Sequence, residues 1–344
     1  MTTLTLTLTG LLAVGSSQAH DVPLFHFQDL GLVPGAAYSV GQRINNRGEV
    51  AGYVAYADDS TAPFLFSCNQ MVSLGLPAGP YTRGFATDIN RHGEVAGINR
   101  GDSDFDAAFL YTGGQLLGLS NVLQYPIVFR GVGINNRGAL VGSAQYDDHG
   151  TAFAFIYKNG VTKRLPSLST GGNSLAVDIN DVGMIIGGAQ SGGPHSDYHA
   201  VIYANRRIID LGTLRGGASS FGAGINEVGH AIGYSDTTAW PHAFLYRKGR
   251  MIDLGILPTG SYSDATGINN RDQVVGYADA EGLGVRAVLF MKGKVYDLND
   301  LLASPTDLVL EQATAINDQG MITGSARLGV YAHAFRLTPV RRVR

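Results

Sequence analysis

The stretch Ala223-Gly-Ile-Asn-Glu-Val-Gly-His-Ala-Ile-Gly-Tyr234 joins an Ile-Asn-x-x-Gly phrase to a short apolar run that carries a second glycine. The chain writes this phrase repeatedly. Ile-Asn pairs place asparagine at Asn45, Asn90, Asn135, Asn180, Asn226, Asn269 and Asn317, with steps of 45, 45, 45, 46, 43 and 48 residues. A fixed period in that range denotes an array of like structural units.

Each unit resolves into turns and strands. The tetrads, such as Asn45-Asn-Arg-Gly48 and Asn180-Asp-Val-Gly183, open with a residue whose side chain bonds backbone two positions on. They close with glycine, which takes positive φ without steric cost. One copy closes with Asp272, a residue type that tolerates that conformation. The asparagine is therefore expected to serve as a hairpin device. A second strand follows, as in Gln273-Val-Val-Gly-Tyr277, with glycine seven residues after the asparagine in every copy. Glycine inside a strand weakens it unless another backbone comes close, so neighbouring repeats are expected to press together there. Runs such as Ala108-Phe-Leu-Tyr111 and Ala243-Phe-Leu-Tyr246 mark a third strand. Short turns, Lys158-Asn-Gly160 among them, lead to a fourth, as in Met251-Ile-Asp-Leu-Gly255.

Four short antiparallel strands per repeat, in seven copies, predict an all-β fold, a seven-bladed β-propeller of four-stranded antiparallel blades. The seventh copy ends with its third strand at Ala334-Phe-Arg-Leu337, while Phe25-His-Phe-Gln-Asp-Leu-Gly31 carries the Asp-Leu-Gly of a fourth. An N-terminal strand completing the last blade would close the ring and remove exposed edges.

The recurring Ile-Asn-x-x-Gly, the Asp-Leu-Gly, and the triplets His242-Ala-Phe244 and His333-Ala-Phe335 resemble the bacterial extracellular HAF-repeat family over nearly all of residues 24–337. Most copies replace the triplet histidine; Ala62 and Pro63 stand where histidine and alanine would be. The resemblance implies an exported, propeller-like repeat protein and brings no reaction or catalytic residue with it.

Composition narrows the partners. With 344 residues, 44% hydrophobic and 15% charged at a net charge of −3, the chain has ample core and no basic face for nucleic acid. Residues 1–19 have the apolar run and small-x-small end of a secretory signal, residues 20–338 form one propeller domain, and residues 339–344 are a basic tail. The expected product is a secreted or periplasmic monomer without a membrane span. Cys68 is the only cysteine and is expected to be a buried structural thiol.

The tight turns of all repeats fall on one side of such a disc, and the longer, variable connections on the other, where binding groups usually sit. Those connections carry Tyr81, Tyr125, Asp147, His149, Tyr198, Trp240 and Tyr262, a set suited to stacking on and hydrogen-bonding a glycan or protein ligand. Asp102, Asp104 and Asp106 alternate as calcium ligands do, without the rest of a calcium loop; no other cofactor is indicated. His195, Asp197 and His199 are metal-ligand types in one loop. The residue before each repeated isoleucine lies near the axis: it is small in four copies and Arg43, Asp88 and Asp178 in the others, and Arg43 and Asp88 could pair. The favoured function is a non-catalytic binding scaffold. The alternative is a polysaccharide-active enzyme, with Asp88 and Asp178 as hydrolytic carboxylates or Arg83, Arg130, Tyr125, His149 and His195 as lyase groups.

Overall fold

The computed structural model describes residues 22–77, 79–101, 106–119, 127–145, 150–192 and 197–340, with only the backbone described at 127–131. The candidates Asp102, Asp104, Tyr125, Asp147, His149 and His195 lie outside the described residues, as do the signal-like segment 1–19 and the last four residues. Among the described residues nearly all regular structure is strand, with a single 3₁₀ turn at Leu298–Leu301. Among the described residues no helix is long and apolar enough to cross a membrane.

The strands assemble as antiparallel meanders of four. The first repeat supplies Ala36–Ile44, Val50–Tyr56, Thr61–Ser67 and Gln70–Ser73 in that order. A single parallel pair, Thr61 with Arg83, joins this meander to the next in one eight-stranded sheet, and four-stranded sheets account for the rest. In the last sheet the order is Phe25–Asp29, Tyr331–Pro339, Ile322–Leu328, Val309–Ile316. The earliest strand thus lies beside the latest one, as the sequence predicts.

Turn chemistry follows the residues. Each tetrad closes at positive φ, from 69° at Gly138 to 88° at Gly183, and Asp272 does so at 57°. Third and fourth strands are joined by two-residue turns with both central residues at positive φ, such as Asn159-Gly160 and Asn205-Arg206, the hairpin geometry that matches strand twist. Cys68 occupies one of these with Asn69, at φ 51° and 62°. It is exposed rather than buried, because the turn and not the core dictates its place.

The asparagine of each tetrad does more than shape its own turn. Asn45 Oδ1 accepts the N–H groups of Arg47 and Glu49 at 3.0 and 3.1 Å. Its Nδ2 donates to the Asn90 carbonyl at 3.0 Å. Asn90 donates likewise to Asn135, Asn135 to Asn180, Asn180 to Asn226, Asn226 to Asn269 and Asn269 to Asn317. Asn317 donates to Asn45 at 2.8 Å, which brings the circuit back to its start. All seven side chains are buried, so none of these groups has water as an alternative partner.

A second set of contacts ties the sheets together further from the axis. The N–H of Ala200 donates to Ser220 Oγ, and that hydroxyl donates to the Gly212 carbonyl; Ala243, Ser263 and Gly255 repeat the pattern. Ala334, Ser39 and Gly31 repeat it again, with Gly31 drawn from the N-terminal strand and Ala334 from the C-terminal one. The triplet histidines explain the recurring Asp-Leu-Gly. His242 Nδ1 lies 2.9 Å from Asp253, and His333 Nδ1 lies 2.7 Å from Asp29, while each aspartate also caps the glycine N–H two residues on.

The strand glycines are crowded, but not by a neighbouring repeat as expected. A side chain at Gly233 would strike the Phe221 carbonyl of its own sheet, and one at Gly276 the Asp264 carbonyl. A β-bulge beside each, between Gly222 and Gly224 or between Ala265 and Gly267, turns that carbonyl inward. Neighbouring repeats do press together at the axial position: a side chain at Gly133 would meet the Val177 carbonyl at 2.9 Å, and one at Gly267 the Ala315 backbone at 2.7 Å.

Two stability measurements follow. Asn180→Ala should cost about 1–3 kcal/mol, since it leaves the Met184 N–H without its acceptor and removes the inter-repeat bond to the Asn226 carbonyl. A chemical-denaturation midpoint unchanged by the substitution would contradict that role. Phe25 is 2% exposed and packs with Leu298, Leu310 and Leu337, so Phe25→Ala should destabilise the whole chain by about 3–5 kcal/mol. A single cooperative transition shifted downward is the expected trace; loss of only a local phase would mean the strand is an appendage.

Candidate functional site

The axis has two ends of different character. At the tetrad end a cavity of about 200 Å³ is bounded by the asparagine circuit, Asp88 and Asp178. Both carboxylates are satisfied by backbone. Asp88 accepts the N–H of Ile89 at 2.8 Å and that of Ile134, in the next repeat, at 2.7 Å. Asp178 accepts Ile179 at 2.8 Å and Ile225 of the next repeat at 3.0 Å. Burial raises both carboxyl groups above the usual range, with Asp178 adding to the rise at Asp88 and the Arg43 charge opposing both. These residues are inter-repeat clamps, and their oxygens already hold donors. Arg43 does not pair with Asp88: no ion pair joins them, and its guanidinium donates to the Gln42 and Thr314 carbonyls at 3.1 and 3.3 Å.

The same end is sealed further by the residue after each asparagine. The Asn136 N–H and side chain bond Asp181, the Asp181 N–H bonds Glu227, and the Glu227 N–H bonds Asn270. Asn270 bonds Asp318, and Asp318 bonds Asn46. Arg91 donates its N–H to Asn136 but carries no acceptor for the Asn46 N–H, so this outer circuit is broken there.

The opposite end is open and aromatic. A cavity of about 320 Å³ is lined by Arg43, Phe221, Tyr234, Asp264 and Thr266. A second, of about 440 Å³, shares Phe221 and Tyr234 with it and extends to Asn173 and Tyr198. The Phe221 and Tyr234 rings are parallel within 14° at 6.2 Å, and Tyr198 lies 5.7 Å from Phe221. Tyr262 meets Tyr277 edge-on at 6.3 Å. All of these rings are half-buried. Phe221, Tyr234, Asp264 and Tyr277 stand there because the strand before each bulge faces the lumen; Phe221 is opposite Tyr234, and Asp264 opposite Tyr277.

Asp264 is the distinctive group. Its Oδ2 accepts the Tyr277 hydroxyl at 2.9 Å, while Oδ1 is buried without a hydrogen-bond partner. Burial pushes the carboxyl up to about 6, against the opposing Tyr277 hydrogen bond, and burial also raises the Tyr277 phenol. Sequence reasoning missed Asp264. Its signal was available: five residues before the asparagine, the copies read Val40, Phe85, Arg130, Leu175, Phe221, Asp264 and Gln312, so an aspartate stands among mostly apolar residues.

The other candidates scatter. Tyr198 and Tyr262 belong to the open end, and Tyr262 is positioned by its N–H donating to Asp279 at 2.7 Å. Tyr81 is half-buried at the start of its strand, against Gly79. Arg83 is engaged, its Nε donating to the Asp59 carbonyl at 3.1 Å. Trp240 is 61% exposed in a loop, with no place in either cavity. Asp106 is held bidentately by Arg100 at 2.7 Å, and the other two residues of the calcium candidate lie outside the described residues. His199 lies 3.0 Å from Asp210, the same histidine–aspartate pairing as His242 with Asp253. Among the described residues no cluster of three metal-ligating side chains occurs.

No protein-family model matches this chain, and no curated protein does. Solved structures do. The streptogramin B lyase structure aligns over 92% of this chain and 98% of that one, with a TM-score of 0.55 at 7% identity. TolB from Acinetobacter baumannii aligns over 86% of this chain at 11% identity and a TM-score of 0.46; this chain spans 64% of that structure's length. The β-propeller domain of the Trilobed protease from Pyrococcus furiosus aligns over 78% and 100% at 11% identity, with a TM-score of 0.43. At such identities the likeness shows the fold alone, and of these three the lyase alignment is the one close enough to carry it. The chain has a propeller-like all-β fold of four-stranded antiparallel sheets.

Asp264 gives the open end a pH signature. A carboxyl raised to about 6 in the fold and near 3.9 when unfolded is favoured protonated, so its contribution falls as pH rises from about 4 through 6, by at most about 3 kcal/mol. Asp264→Asn should remove that slope, so that the variant gains on the parent as pH is raised across this window. Thermal melts from pH 4 to 8 that run parallel for both proteins would refute the assignment.

Proposed function

We propose that the chain is a seven-bladed β-propeller of the HAF-repeat kind, closed by its Phe25–Asp29 strand, that acts as an exported monomeric scaffold and binds a glycan without cleaving it at the open end of its axis. The observation that carries this reading is the pair of contiguous cavities in which Phe221, Tyr234 and Tyr198 present half-buried ring faces beside Asp264, Arg43 and Asn173. Ring faces stack on the apolar C–H faces of sugars, while a few fixed polar groups orient hydroxyls. The asparagine circuits leave the tetrad end with few unengaged groups. Secretion or periplasmic residence rests on residues 1–19 read as a signal.

A second reading is favoured by Asp264 itself. A carboxyl titrating near 6 beside a lumen is suited to general-acid work on a glycosidic bond, which would make the same end a hydrolase site.

The two are separated with a panel of neutral and acidic polysaccharides. Saturable binding by calorimetry, weakened about tenfold or more by Tyr234→Ala and Phe221→Ala, without new reducing ends or unsaturated-product absorbance, is the expected result. Cleavage abolished by Asp264→Asn would replace the scaffold with the hydrolase. Failure of every polysaccharide to bind would remove the glycan reading.

A further inference from the structure

A cavity larger than these lies apart from both ends of the axis. It has a volume of about 950 Å³ and is roofed by the Leu165–Gly172 connection between the third and fourth repeats. It shares no residue with the two open-end cavities. Its apolar wall comes from Ile156, Leu165, Leu168 and Ile185.

Two polar features distinguish it from a packing defect. Tyr203, only 3% exposed, lines it, and its hydroxyl is buried without a hydrogen-bond partner. The Ser174 hydroxyl, whose oxygen accepts the Ala154 N–H at 3.0 Å, is close enough to influence the phenol but stands outside hydrogen-bond geometry with it. A buried hydroxyl left in that state costs about 1–3 kcal/mol, which an acceptor on a bound molecule would recover. The rim carries Lys163, Arg164, Arg206 and Arg207 and no carboxylate. Arg164 is spread over the Phe153 ring at 4.5 Å, and among the described residues no ion pair engages Lys163, Arg206 or Arg207. In a chain whose net charge is −3, four cations around one apolar pocket are a local inversion of sign.

We propose that this cavity is a binding site for an amphipathic organic anion: an apolar body lodged against Ile156, Leu168 and Ile185, a polar acceptor taking the Tyr203 hydroxyl, and a carboxylate or sulfate held at the Arg206–Arg207 rim. The volume is that of a small-molecule site. The site is independent of the open-end reading and stands or falls separately.

The probe is decanoate, titrated calorimetrically into the full-length protein beside decan-1-ol and decylammonium, which share its chain and differ in head-group charge. Decanoate should bind saturably at one site, about tenfold or more tighter than the alcohol, with the ammonium weakest. Replacing both rim arginines (Arg206→Glu with Arg207→Glu) should abolish that preference. These residues are exposed, so the melting temperature should be unchanged. Tyr203→Phe should weaken decanoate about fivefold or more at an unchanged or raised melting temperature, because it removes an orphaned hydroxyl. Absence of saturable decanoate binding at millimolar concentration, equal affinity for the three head groups, or full affinity in the double glutamate variant would each overturn the proposal.

Discussion

A primary amide buried away from water must find its partners within the protein, and here it finds them in two repeats at once. The tetrad asparagine spends its oxygen on its own turn, accepting two N–H groups at Asn45 and one at Asn180 and Asn226, and sends its nitrogen to the carbonyl of the next asparagine. Each repeat therefore both gives and receives. An open array would leave one buried amide donor unmatched at one end and a carbonyl holding only the closing N–H of its own turn at the other, at a cost of about 1–3 kcal/mol. The Asn317 to Asn45 bond removes that cost, and it can form only if the last repeat lies against the first. The N-terminal strand then follows of necessity. With the ends adjoining, the missing fourth strand of the final sheet is supplied by the segment that runs past it, and Asp29, Leu30 and Gly31 enter the same contacts that Asp253, Leu254 and Gly255 make elsewhere.

This constraint also divides the molecule chemically. Small or backbone-bonding residues are needed where repeats crowd at the axis, and Asp88 and Asp178 meet the need by bridging consecutive repeats through backbone N–H groups. A carboxylate whose two oxygens each hold a backbone N–H, one from its own repeat and one from the next, serves as a strut. At the other end the bulges release the strands from that crowding, and larger side chains face the lumen. The contrast between Asp178, with both oxygens engaged, and Asp264, with one left bare, is the contrast between structure and chemistry in this fold.

What could be read from the sequence was whatever is repeated. The tetrads fixed the turn geometry, down to Asp272 standing in for glycine, because positive φ admits few residue types. The Asp-Leu-Gly at both Asp29 and Asp253 betrayed the closing strand. What could not be read was the partner of a repeated feature. Glycine at Gly233 announces crowding without saying whether its own sheet or its neighbour crowds it, and the answer depends on a bulge that leaves no composition signal. Residue type singles out His199 and Asp106 without showing their cross-strand partners, eleven and six residues away. Cys68 was expected inside on hydrophobicity, and a turn that demands positive φ placed it outside.

Departures from a repeat are more informative than the repeat. A position that is apolar in most copies and acidic in one has no architectural reason to be acidic, since the same sheet closes without it elsewhere. Asp264 is such a departure: Leu175 and Phe221 fill the equivalent place with no charge to bury. Keeping an unpaired carboxyl oxygen there costs stability that a phenylalanine would not. The same reasoning applies at Tyr203, whose counterparts Tyr157 and Tyr246 lie half-buried, where water can satisfy the hydroxyl that Tyr203 buries. In an array whose architecture is satisfied repeat after repeat, an uncompensated polar group is the place where something other than folding sets the residue.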